Sequence, residues 1–185
     1  MSADPTWVAE MTRRRKLALS SSREAARLLA RAGEREHSVM SDIGAADALT
    51  ALGELDEAER VYERARVRAT SHALPVLQAH VDESVALLAF SRGRYGEALA
   101  RFERARAGYE ALAMPQHLAI AEKQLGDAYL ELRLWPEAER LYAEALARFD
   151  ALSMPDDTAW TLVQRGRAQA LRGSPAAAAG SFDAA

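Results

Sequence analysis

No cysteine occurs in the 185 residues, which excludes disulfides, thiolate nucleophiles and thiolate metal sites at once. Aromatic residues make up only 6% of the chain, and lysine is almost absent, with Lys16 and Lys123 against an abundance of arginine. No apolar run approaches the roughly 20 residues that a membrane span requires, and the first thirty residues lack a signal-peptide core. The four histidines, His37, His72, His80 and His117, are scattered and form no metal-ligand spacing. His80 and Glu83 lie one turn apart, but without a nucleophile or metal they do not make a catalytic site. Ser20-Ser21-Ser22 has no base nearby, and no glycine loop has phosphate-cradling spacing. These absences predict a chain that is not an enzyme and uses no cofactor and no metal.

The residues that are present describe a helical protein. Ala, Leu, Glu and Arg dominate, 49% of residues are hydrophobic and 28% are charged. A formal charge of −3 and an isoelectric point near 5.9 argue against a general polyanion binder, so nucleic acid is not an expected partner, and neither is a membrane. The cysteine-free composition fits a cytoplasmic location, and the Arg and Ala bias fits a GC-rich, bacterial genome.

The chain repeats itself. Ala58, Ala98, Ala138 and Ala178 stand 40 residues apart, as do Tyr62, Phe102, Tyr142 and Phe182, then Ala65, Ala105, Ala145 and Ala185, and also Pro75, Pro115 and Pro155. Self-similarity at one period marks an array of supersecondary units that bury their apolar faces against each other. Residues 115–154 show the unit most clearly, as two amphipathic helices around a break at Leu134-Trp135-Pro136. The predicted repeats are 37–74, 75–114, 115–154 and an incomplete 155–185. Residues 1–36 form a preceding helical segment, read as a degenerate repeat whose aromatic has become Ser22.

Within that segment Met1 to Asp4 are expected to fray, and Pro5 to open a helix carrying Trp7, Val8 and Met11. A second helix is expected from Leu17 to Ala32, with Leu17, Ala25, Leu28 and Leu29 on one side and Gly33 as its stop. Between them lies Arg13-Arg14-Arg15-Lys16, readable as an anionic contact or as a solvated helix face or interhelix turn. Val67 is expected to face inward with Ala58, Val61, Tyr62 and Ala65, and the next helix to start at Pro75 and run through Val76, Leu77 and Val81.

The spacing has a packing rationale. Two antiparallel helices approach closely only where one presents almost no side chain, the role of the recurring alanine, and the aromatic one turn later fills the gap between units. These residues resemble the tetratricopeptide repeat. Leu125, Gly126 and Tyr129 match the family's helix A, and Ala138, Tyr142 and Ala145 its helix B, with 12 residues from Gly126 to Ala138. The resemblance covers residues 37–185 and implies an all-α fold, a superhelical α-solenoid of antiparallel helix-turn-helix repeats. Two departures stand out. The early helix A tryptophan is replaced by Asp42, Asp82, Glu122 and Leu162, and the period is 40 rather than the family's 34.

The resemblance further implies that the A helices line a concave face that binds a peptide or protein segment without catalysis. Corresponding positions make His80, Glu83, Leu87, Phe90, Lys123, Asp127, Leu130, Trp160, Val163 and Arg167 the groove candidates, with Met40, Ile43, Asp47 and Ile120 in the same columns. Lys123 and Asp127 are expected to pair across one turn. Trp160 is readable as an exposed anchor or as a residue buried against the preceding B helix.

Forty-residue arrays are similar to those of bacterial signalling proteins, and the phrases around 113–115, 128–132 and 153–155 resemble arrays fused ahead of CHAT protease-like domains. The alternative function is therefore a regulatory segment of a larger effector enzyme, and a homo-oligomeric scaffold is a third reading. The fourth helix B stops at Ala185, which predicts either a continuation or self-association through an uncapped C-terminal end.

Overall fold

The computed structural model describes residues 5–185, with side chains from Val8 onward; the expectations for Met1 to Asp4 and for the Trp7 side chain lie outside this part. The described residues fold into helices without a strand: α1 (Pro5–Ala32), α2 (Arg35–Leu52), α3 (Leu55–Ser71), α4 (Pro75–Ser91), α5 (Tyr95–Ala111), α6 (Pro115–Glu131), α7 (Trp135–Ala151), α8 (Pro155–Leu171) and α9 (Pro175–Asp183). The chain forms two compact units, one ending at Arg94 and the other spanning Tyr95–Ala185.

The period of 40 resolves into two halves of 20. Each of α3 to α8 is 17 residues long and is followed by a three-residue turn. A left-handed residue recurs every 20 positions, at Gly33, Gly53, Ala73, Gly93, Ala113, Arg133, Ser153 and Gly173. Around each, the next amide reaches back to a carbonyl five residues earlier, as in Glu54 to Leu49 and Leu134 to Tyr129, both within 3.0 Å. This closes the orphan carbonyls of a helix end and reverses the chain. Pro75, Pro115, Pro136, Pro155 and Pro175 then sit in the first turn of the following helix, where a missing N–H is harmless.

In the first unit, α1 to α4 stack in chain order, and α2 also meets α4. Its core joins Val39, Ile43 and Leu49 of α2 to Val61, Tyr62 and Ala65 of α3 and to Leu77, Val81 and Leu88 of α4. Helix α1 differs from expectation. The two predicted helices are one helix of 28 residues, and the basic run lies inside it with all four side chains exposed. Leu17 and Leu28 are more than half exposed, because α1 meets α2 through its opposite side, where Ala26 is buried and Leu19 packs on the core. Val67 is exposed as well, since it lies on the side of α3 opposite the buried stripe of Ala58, Val61, Tyr62, Ala65 and Ala69.

In the second unit, α5 to α9 stack in order, and α6 meets α8. Ala138, Tyr142, Leu130 and Ala168 form one buried cluster flanked by Tyr129 and Trp135; Ala119, Ala145 and Phe149 form another flanked by Ile120 and Met154. The recurring Ala58, Ala98, Ala138 and Ala178 are all buried, as are Tyr62, Phe102 and Tyr142, whereas Phe182 is 45% exposed.

Buried carboxylates occupy two of the positions where the tryptophan was expected. Asp42 accepts hydrogen bonds from Arg64 at 2.8 Å and Arg68 at 2.5 Å, and Glu122 accepts from Arg148 Nε at 2.9 Å. Each joins its helix to an arginine of the following helix 26 residues later, so a buried carboxylate and a partly exposed guanidinium tie the two helices together. Burial pushes the Glu122 carboxyl above its ordinary value, and the Arg148 guanidinium opposes the rise.

Candidate functional site

On α8, Trp160, Val163 and Arg167 recur at three and four residues and so share one side of the helix. Trp160 is 55% exposed and Val163 is 37% exposed, which places the indole in solvent rather than against the preceding B helix. Arg167 is exposed and donates from Nη1 to Gln164 Oε1 at 2.6 Å.

On the neighbouring α6, Lys123 is not paired with Asp127. Its Nζ bonds Asp157 Oδ1 of α8 at 2.7 Å and stands 5.8 Å from the centre of the Phe149 ring. The pair is partly screened from water, with 18% and 29% of the two side chains exposed, so Lys123 links α6 to α8. Asp127 instead accepts the Tyr142 hydroxyl at 2.7 Å. Burial pushes the Asp127 carboxyl above its ordinary value, against the hydrogen bond from Tyr142 and the charges of Lys123 and Arg167. The tyrosine is pushed up strongly, by burial first and then by the adjoining carboxylate. Leu130 is buried with Ala138, Tyr142 and Ala168 and does not face solvent.

The first unit carries the remaining candidates on α4. His80 is exposed, Leu87 is 48% exposed, and Glu83 and Phe90 are half-buried. On α2 of that unit Met40 is 51% exposed, while Ile43 is buried and Asp47 accepts the Tyr62 hydroxyl. The tyrosine-to-aspartate bond thus occurs in both units at a separation of 15 residues.

Sequence reasoning missed Asp157, Gln164 and the tyrosine hydroxyls as partners of the charged candidates. One signal was available. At the same separation the sequence couples Leu87 with Phe102 and Arg167 with Phe182, so an aspartate stands only where the aromatic has a hydroxyl to donate.

Among the described residues no group of three or more His, Asp or Glu is arranged to hold a metal ion. No described helix is long and apolar enough to cross a membrane.

A family model described as tetratricopeptide repeat matches residues 77–151 and 118–185. The chain belongs to the tetratricopeptide-repeat family. Arrays of this family generally serve as scaffolds that offer extended surfaces for protein–protein interaction. Among solved structures, BtubC (BKLC) from P. vanneervenii is 18% identical, with a TM-score of 0.65 over 92% of this chain and 89% of that one. A Podosopora anserina putative kinesin light chain with nearly identical TPR-like repeats is 17% identical, with a TM-score of 0.74 over 95% and 89%. The MamA protein is 14% identical, with a TM-score of 0.52 over 90% and 88%. At these identities the likeness is one of fold. No curated protein matches the chain.

Proposed function

We propose that this tetratricopeptide array recruits a peptide or protein segment without catalysis, and that within Tyr95–Ala185 the α6 and α8 face is the docking surface. The observation that supports this reading is Trp160, which at 55% is the most exposed of the described Phe, Tyr and Trp rings and stands on an A helix. Aromatic anchors of this kind carry a disproportionate share of binding energy. Val163 extends the apolar contact by one turn, and Arg167 offers exposed donors one turn further. Lys123 and Asp127 are each engaged by a neighbour, Asp157 and Tyr142, and hold the helices of this face together.

Peptides selected from a random 12-residue display library on the whole chain test the reading, with affinity measured by fluorescence anisotropy. Trp160→Ala is expected to weaken the selected peptides by about tenfold or more, while Arg133→Glu, on a turn, leaves them unchanged. Selected peptides that bind the Trp160→Ala protein with unaltered affinity would move the docking surface elsewhere.

A further inference from the structure

Helix α1 carries charge unlike the rest of its unit: seven basic residues and two acidic ones, against seven basic and eleven acidic over residues 33–94. Five of the seven basic side chains also share one side of the helix, and Arg14 and Arg15 project from its other sides. Arg13, Lys16, Ser20, Arg23, Arg27 and Arg31 fall at helical spacing along one side of α1, and all are exposed. At about 1.5 Å per residue this stripe runs for about 27 Å. Two shallow depressions of about 630 and 460 Å³ lie along it and share Lys16 and Ser20.

Some of the charge is already matched. Arg23 pairs with Glu57 of α3, and Arg27 pairs with Glu24 at 2.7 Å. Arg13, Lys16 and Arg31 have no ion-pair partner among the described residues. Beside the stripe, Leu17 and Leu28 are 58% and 52% exposed, and their separation of 11 residues places them on nearly one line along the helix.

We propose that this side of α1 docks an acidic amphipathic helix of a partner protein, laid along the stripe with apolar residues over Leu17 and Leu28. Charge complementarity selects the acidic sign. The narrowness of the stripe selects the shape, because a single helix covers one line of side chains, whereas a membrane or a nucleic-acid duplex spans more of a unit whose residues 33–94 carry an excess of negative charge. The leucine pair supplies what a bare ion exchanger lacks, an apolar contact in fixed register.

The test uses the full chain and a fluorescein-labelled 24-residue helical peptide with glutamates along one face and two leucines eleven residues apart. Anisotropy is expected to show binding that weakens with added salt. Combined Arg13→Glu, Lys16→Glu and Arg27→Glu substitutions should weaken it at least tenfold, and Leu17→Ser with Leu28→Ser at least fivefold. Arg133→Glu should leave it unchanged, and circular dichroism should show equal helix content in all variants. Binding indifferent to the charge reversals overturns the proposal, as does binding indifferent to the leucine substitutions. Tighter, α1-dependent attachment to phosphatidylserine vesicles than to the peptide overturns it too.

Discussion

Tyr142 donates its hydroxyl to Asp127 at 2.7 Å from a ring that is fully buried, and this bond withdraws a carboxylate from the face on which sequence spacing had placed it. The pair is therefore separable from binding and testable by stability. Tyr142→Phe leaves the half-buried carboxylate without its donor and is expected to cost about 1–3 kcal/mol. Tyr142→Ala also removes the ring and should cost about 3–5 kcal/mol. Asp127→Leu combined with Tyr142→Phe reproduces the Leu87 and Phe102 combination of this chain and should recover most of the Tyr142→Phe loss. A double-mutant cycle by urea unfolding measures the coupling; additive losses would contradict it.

The same ring constrains the helix behind it. A Cβ placed on Gly126 would lie 2.8 Å from Cε1 of Tyr142, a ring that is fully buried and held at its hydroxyl by Asp127. Gly126→Ala gains about 1 kcal/mol of helix propensity but forces an overpacked contact costing about 1–3 kcal/mol. Net destabilisation is expected in thermal melts, and Gly126→Ala with Tyr142→Leu should relieve the clash.

Glu122 yields a pH dependence. Burial raises its carboxyl above 4.5, so the folded state holds this proton more tightly than the unfolded state does. The stabilisation from that proton is complete below about 4.5 and is lost as pH rises through the folded value. Relative to Glu122→Gln, which cannot titrate, the wild type should lose stability as pH rises across this window. Unfolding of the two proteins from pH 4 to 7 measures the difference, and parallel curves would contradict it.

Arg133 adopts φ 61° in the turn between α6 and α7, where the equivalent residues before α3, α5 and α9 are Gly53, Gly93 and Gly173. A left-handed conformation costs a residue with a Cβ about 1–2 kcal/mol. Arg133→Gly should stabilise the protein by about 1 kcal/mol after the entropic penalty of glycine. A melting temperature at or below that of the wild type would show that the exposed arginine contributes more than its strain.

Much of the architecture was legible from residue identity alone. Recurring alanines, aromatics and prolines specified helices, turns and the stacking of units, because close helix packing demands small residues at fixed spacing and reversal demands a helix stop every 20 residues. Which of the candidate side chains stay available was not legible. Lys123, Asp127 and Arg167 occupy equivalent kinds of position, yet the first is held by Asp157, the second by Tyr142, and only the third keeps an exposed guanidinium. Leu130 and Trp160 were both candidates, and neighbours distant in sequence buried one and left the other in solvent. The repeating helices and their register were determined by local and periodic chemistry. Which polar and apolar groups remain free to meet a partner was decided by contacts from residues a helix or more away, and those exist only once the units have packed.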